Sequence, residues 1–145
     1  MSRPNLDQYL IDLAKVTATR ATCAKRSVGA VVADAQNRIV GTGYNGPPSG
    51  MPHCIEQPCK ALEMAAPASH LACRSIHAEV NAILVAGHQC RGGTLAITTS
   101  PCGECAKIIV NAGIKRVIFS ETNRLFTTGP KDLFDAAGIS YKEVV

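Results

Sequence analysis

Two short motifs constrain this 145-residue chain more than anything else in it: His77-Ala78-Glu79 and Pro101-Cys102-Gly103-Glu104-Cys105. Any fold that uses them must bring His77 beside Cys102 and Cys105. A neutral imidazole and two thiolates suit Zn²⁺. Three protein ligands leave a fourth tetrahedral position for water, the mark of a catalytic rather than a structural zinc. Cys102 and Cys105 stand three apart, so on a helix they share a face. Pro101 has the fixed φ and missing N–H of a first helical residue. That predicts Cys102 in the first turn, where the helix dipole favours a thiolate. Glu79 lies two residues past His77 and on a helix points to another side. Its carboxylate is thereby free to serve a water or a substrate beside the metal.

Each half of the pattern says little alone. An isolated C-x-x-C serves redox or structural roles as readily as catalysis, and an isolated His-x-Glu carries almost no information. Together, in this order and separated by one predicted helix and one predicted strand, they match the H-x-E and P-C-x-x-C signature of zinc nucleobase deaminases.

The remaining composition narrows the class. A chain of this length buries one core, and residues 1–145 read as a single domain. The formal charge is +4, and Arg3, Lys15, Arg20, Lys25, Arg26, Lys60, Arg74 and Arg91 are scattered. They are not interleaved with the aromatics that single-strand binders stack on bases. Such a surface suits a small anionic substrate and gives little support for nucleic acid. The opening MSRPNLDQY has no leader-like apolar run and no membrane span is apparent, so the expectation is a soluble cytoplasmic protein. Seven cysteines do not pair off into a disulfide framework, and in a reducing compartment they point to metal.

In chain order, residues 5–20 read as an amphipathic helix, with Leu6, Leu10, Leu13 and Val16 at helical spacing and Asn5 with Gln8 resembling a capping box. Val28–Ala33 and Arg38–Tyr44 read as a hairpin across a turn at Asp34–Asn37. The breaker-rich Tyr44–Gly50 is a loop, followed to about Ser75 by a stretch without clean period. An irregular segment of that length is usually functional or pinned, and its Cys and His content suggests a metal pin. A helix from about Ile76 to Gly87 carries His77 and Glu79 in its first turn, with Val80, Ile83 and Leu84 as its apolar face. Thr94–Thr99 is a buried strand leading to a helix over Pro101–Asn111 that stops at Gly113. Val117–Ser120 is a strand, Pro130–Ala137 a helix closed by Gly138, and Ile139–Val145 an edge strand. The fold class is α/β: a three-layer α-β-α domain with a mixed sheet of about five strands, the third and fourth parallel across a helix crossover.

Beyond the two metal motifs, the chain carries Cys23-Ala-Lys-Arg26-Ser-Val-Gly-Ala-Val and Gly43-Tyr-Asn-Gly-Pro-Pro-Ser-Gly-Met-Pro-His-Cys54. It continues with Cys73-Arg-Ser-Ile-His-Ala-Glu-Val-Asn-Ala-Ile and Asn111-Ala-Gly-Ile-Lys-Arg-Val. With these it resembles the deoxycytidylate (dCMP) deaminase family from Thr22 to about Ser120. One departure is Glu121-Thr-Asn-Arg-Leu-Phe, which lacks the Tyr that many members place after the fourth strand. The resemblance implies the cytidine deaminase-like fold and hydrolytic conversion of dCMP to dUMP and ammonia. Glu79 is then the catalytic acid–base group. It also implies that Asn45 binds the sugar, that the Ala78 N–H meets the pyrimidine O2 and that Ser100 contacts the exocyclic amine. Arg26 is the candidate for the 5′-phosphate, ahead of Lys25. Asn45 also fits a plain turn residue before Gly46, and Arg26 a solvated hairpin charge.

Cys23, Cys54, His70 and Cys73 lie at positions resembling the structural zinc site of some members, with Cys59 as an alternate ligand. Free buried thiols are the competing reading. Cys90, His53 and His88 have no assigned role. The resemblance further implies a homo-oligomer, often hexameric, and effectors such as dCTP with Mg²⁺ and dTTP. Two rivals stay open. One is another deaminase of the superfamily, such as a tRNA adenosine deaminase, although the Gly-Pro-Pro-Ser-Gly loop and Cys-rich segment favour dCMP. The other is a non-catalytic nucleotide-binding module, against which the intact Glu79 stands.

Overall fold

A computed structural model describes residues 2–145. The chain begins with helix α1 (Leu6–Ala18). Asn5 caps it, its side-chain oxygen accepting the Gln8 N–H at 2.8 Å. The reciprocal half of the expected capping box is missing, because the Gln8 side chain turns forward to Asp12. The hairpin follows as β1 (Gly29–Ala33) and β2 (Ile39–Tyr44). Asp34 closes its turn by accepting the Gln36 and Arg38 N–H groups, and Asn37 adopts a positive φ of 64°, a conformation Asn tolerates better than most residues.

The irregular stretch contains two 3₁₀ turns, Cys54–Glu56 and Lys60–Glu63, and the short helix α2 (Ala68–Ala72). Then come α3 (Ala78–Ala86), β3 (Thr94–Ile97), α4 (Gly103–Asn111), β4 (Arg116–Phe119), α5 (Pro130–Ala137) and β5 (Ser140–Glu143). The sheet runs β2-β1-β3-β4-β5, antiparallel through β2, β1 and β3 and parallel through β3, β4 and β5. The mixed sheet, the parallel third and fourth strands and the edge position of β5 all match the expectation.

Alternation along β1 assigns its side chains to two layers. Val31 and Ala33 pack with Leu10, Ile11 and Ala14 of α1, together with Ala96 and Ile118. Ala30 and Val32 join Leu95, Ile97, Val117 and Phe119 under α3, α4 and α5. Phe126, Phe134 and Tyr141 fill the α5 end, with ring centroids 5.4–6.1 Å apart. One helix thus covers one face and three cover the other. The α1 layer is also clamped at the sheet end, where Asp7 meets Arg116 at 2.6 Å and Lys142 at 2.9 Å.

The face that α3 turns inward is only partly the expected one: Val80 and Ile83 pack half-buried against the core. Ala78, Glu79, Ala82 and Ala86 are buried, whereas Leu84 is 71% exposed. The cause lies in β2: Gly41 and Gly43 present bare backbone to the helix. A Cβ on Gly43 would stand 2.5 Å from the Ala78 carbonyl oxygen, and one on Gly41 2.5 Å from that of Ala82. Backbone can approach backbone this closely only where both sides are small. The Asn81 side chain completes the contact by donating to the Tyr44 carbonyl oxygen at 2.8 Å. The helix carrying Glu79 is therefore held against the sheet edge by small residues, with Val80 and Ile83 half-buried at the core margin and Leu84 and Val85 exposed. Among the described residues no helix is long and apolar enough to cross a membrane.

Candidate active site

The two motifs meet at the starts of α3 and α4, beyond the ends of β2 and β3. Both metal-binding motifs differ locally from expectation. His77 is the N-cap of α3, in extended conformation (φ −68°, ψ 151°), not a residue of its first turn. Cys102 is likewise the N-cap of α4 (φ −78°, ψ 173°), and Pro101 lies outside the helix. The reason is the ladder just upstream: Ile76 and Gly46 exchange backbone hydrogen bonds at 2.7 and 3.2 Å, keeping the chain extended up to His77. At Cys102 a sulfur replaces the usual capping oxygen and accepts the Cys105 N–H at 3.5 Å.

His77 Nδ1 lies 3.3 Å from Cys105 Sγ and 3.5 Å from Cys102 Sγ. Among the described residues this is the only set of three His, Cys, Asp or Glu ligand atoms lying within 4.8 Å of one another. Ligands at ordinary Zn–N and Zn–S lengths around a tetrahedral ion stand about 3.6 Å apart, so the triad fits Zn²⁺ in both chemistry and spacing. Its electrostatics agree. The Cys105 thiol and the His77 ring hold Cys102 as a thiolate, its pKa pulled down to about 3. Cys105 beside that thiolate is pushed up, and His77, bonded to the same sulfur, is also raised. A cation entering would displace those protons.

Glu79 is 4% exposed. Burial raises its carboxyl pKa, against opposing influences that include the His77 ring and the Cys105 thiol. An acid whose pKa is raised by burial beside a candidate metal triad is suited to proton transfer. Ala78, fully buried, opens α3, where a backbone N–H has no partner within the helix. Ser100 is 2% exposed, on the loop between β3 and Cys102.

Asn45 is buried, with its carboxamide already engaged. The oxygen accepts the Val28 N–H at 2.8 Å and the nitrogen donates to the Arg26 carbonyl at 2.9 Å. It thus fixes the segment presenting Arg26, and one of its amide protons remains for a ligand. Arg26 is exposed, yet near enough to His77 for its charge to oppose protonation of that ring. Lys25 is exposed one residue earlier.

The second proposed cluster is only partly assembled. Burial and the nearby thiols of Cys23, Cys59 and Cys73 raise the Cys54 pKa, so those four sulfurs share one neighbourhood. They do not close to the spacing of the first triad, and His70 is exposed on α2. The Thr22 backbone pairs with both Asn45 and Ile55, tying the cysteine-bearing segments together. Sequence reasoning missed Asn81 and Asn123. The former stands four residues past His77, at helical spacing, and the latter lies in the Glu121–Phe126 segment, where the sequence showed a departure but no partner for the Asn123 side chain.

The model for the cytidine and deoxycytidylate deaminase zinc-binding region matches residues 4–121. The chain belongs to this family. A deoxycytidylate deaminase of Schizosaccharomyces pombe is 36% identical over 148 residues, covering 99% of this chain and 45% of that protein. One from a Mycobacterium phage is 38% identical over 126 residues, covering 82% of this chain and 97% of that protein. This chain therefore spans less than half of the yeast relative and nearly all of the phage one. Among solved structures of the family, the dCMP deaminase of cyanophage S-TIM5 in complex with dCMP and dUMP aligns with a TM-score of 0.78. It is 26% identical and covers 99% of this chain and 100% of that one.

Proposed function

We propose that residues 1–145 form one deaminase domain that hydrolyses dCMP to dUMP and ammonia. The carrying observation is the buried Glu79 set against the His77–Cys102–Cys105 triad. His77, Cys102 and Cys105 would hold Zn²⁺, which when bound would supply the Lewis acidity that brings a water towards a neutral pKa. Glu79 accepts the proton of the attacking water and delivers it to N3 of the pyrimidine, making C4 electrophilic. Once the remaining hydroxide has added to C4, Glu79 takes the proton of that new hydroxyl and passes it to the amino group, whose bond to C4 breaks to release ammonia. Ala78 N–H orients the pyrimidine through O2, Ser100 meets the exocyclic amine, Asn45 the sugar, and Arg26 the 5′-phosphate. The proximity of Arg26 to His77, and the grip of Asn45 on Arg26, support that last assignment over Lys25.

A second zinc, structural, on cysteines drawn from Cys23, Cys54, Cys59 and Cys73, with His70 as the further ligand named by resemblance, is supported by the convergence of the sulfurs on Cys54. Their unpaired state also supports a reducing, cytoplasmic location. Family membership supports a homo-oligomer, with a hexamer as the form to test by light scattering. It likewise supports regulation by dCTP with Mg²⁺ and by dTTP.

The test is ammonia release by zinc-loaded protein from dCMP, deoxycytidine, CMP and adenine compounds. We expect dCMP to be the best substrate. Silence on every compound would favour a binding module, and preference for an adenine compound would favour the adenosine branch of the superfamily.

A further inference from the structure

Every polar atom of Ser100 is held by the loop that follows β4. Its N–H donates to the Glu121 carbonyl oxygen at 2.9 Å. Its hydroxyl oxygen accepts the Asn123 N–H at 2.9 Å, and its carbonyl oxygen accepts the Asn123 side-chain amide at 2.7 Å. The other end of that carboxamide accepts the Leu125 N–H at 3.0 Å. With a donor facing the oxygen and an acceptor facing the nitrogen, its orientation is determined. The loop is anchored on its far side as well. Thr122 donates from its N–H and its hydroxyl to Glu143 Oε1 at 2.8 and 2.9 Å, and the Ser120 hydroxyl donates to the Thr98 carbonyl at 2.6 Å.

This network touches none of His77, Cys102 and Cys105, but Ser100 lies two residues before Cys102. Ser100 is followed by Pro101, fully buried and with a locked φ, and then by Cys102. A displaced Ser100 carbonyl is therefore passed on to the Cys102 sulfur with little slack.

We propose that Asn123 is a positioning residue: its side chain fixes the Ser100 carbonyl and, through Pro101, the place of the Cys102 ligand. The activity half of this claim rests on the deaminase reading above; the metal half does not.

Three variants test it. Asn123→Asp keeps the acceptor for Leu125 and loses the donor to Ser100, and Asn123→Ala loses both. Thr122→Ala loosens the same loop at Glu143 but leaves Ser100 untouched. Co²⁺ affinity is measured by competition with a chromophoric chelator, alongside steady-state kinetics with dCMP and thermal melting. The loss of one neutral hydrogen bond predicts roughly a three- to tenfold fall in Co²⁺ affinity in both Asn123 variants. A similar fall in kcat is expected, with KM within about twofold. Thr122→Ala should lower only the melting temperature. Parental Co²⁺ affinity in both Asn123 variants overturns the proposal, as does an equal loss in Thr122→Ala. If the parent does not deaminate dCMP, the substrate assignment fails and the Co²⁺ measurements alone decide the role of Asn123.

Discussion

Replacing Gly43 by alanine tests whether the contact of α3 with β2 places the Glu79 carboxylate, the proposed proton carrier. The added Cβ would overlap the Ala82 amide nitrogen and stand 2.5 Å from the Ala78 carbonyl oxygen and 2.8 Å from Asn81 Cβ. Two of those three are backbone atoms, which cannot rotate away. Restoring ordinary contact at about 3.5 Å requires the first two turns of α3 to retreat by roughly 1 Å. Overpacking of this kind costs about 1–3 kcal/mol. The Asn81–Tyr44 bond on the same contact, 2.8 Å long, contributes about 1 kcal/mol more if lost. A total of about 2–4 kcal/mol corresponds to a fall in melting temperature of roughly 5–15 °C for a chain of this size.

The functional consequence is larger than the structural one. His77 and Glu79 flank the first residue of the displaced helix, and misplacement of about 1 Å can cost about a hundredfold in rate. The assay pairs thermal melting by circular dichroism with ammonia release from dCMP on zinc-replete protein. Gly103→Ala is the internal control. Gly103 opens α4 between Cys102 and Glu104 with nothing near its missing Cβ, so alanine there should stabilise by about 0.4–1 kcal/mol. A Gly43→Ala protein that melts and turns over like the parent would refute the argument that close backbone contact sets the position of α3.

Glu79→Gln keeps shape and metal but removes proton transfer, so kcat should fall by at least about 10²–10⁴-fold; near-parental turnover by the zinc-loaded variant would sink the mechanism. Metal analysis should find about two zinc ions per chain, Cys102→Ala losing one with all activity and Cys54→Ala losing the other with mainly stability; a single zinc in the parent removes the second site. Arg26→Ala should reduce kcat/KM for dCMP by about ten- to a hundredfold, as for a charged hydrogen bond, and leave deoxycytidine nearly unaffected; if the gap between the two substrates survives, Lys25 is the next to test. At Asp7 burial would raise the carboxyl pKa, but the Lys142 and Arg116 bonds outweigh it and the net shift is downward. Its contribution is therefore present above the unfolded value near 4 and disappears as pH falls through the lower folded value. Asp7→Asn should melt below the parent at pH 7, by about 1–2 kcal/mol of stability, and the difference should close in strong acid. A difference independent of pH would refute the ion-pair account.

Much of the site was legible in the sequence because its chemistry is carried by residue type and short spacing. His77, Cys102 and Cys105 are residue types that suit a metal, with Glu79 close by in sequence, and the structure does bring the three candidate ligands together. The amphipathic period of α1, the hairpin turn at Asp34–Asn37 and the α5 helix from Pro130 to the Gly138 stop were readable for the same reason: each is decided within a few residues. What the tertiary structure alone decided involves partners far apart in the chain. His77 and Cys102 became caps because neighbours at residue 46 and along the β3 exit hold them extended. The innermost face of α3 is set by Gly41 and Gly43, some forty residues earlier, so Ala78 and Ala82 sit deepest there and Val80 and Ile83 only half-buried beside them. The grip of Asn123 on Ser100 spans 23 positions and leaves no periodic trace. Local propensity is written into neighbouring residues; close packing and single hydrogen bonds across the fold depend on shapes that exist only once the chain has assembled.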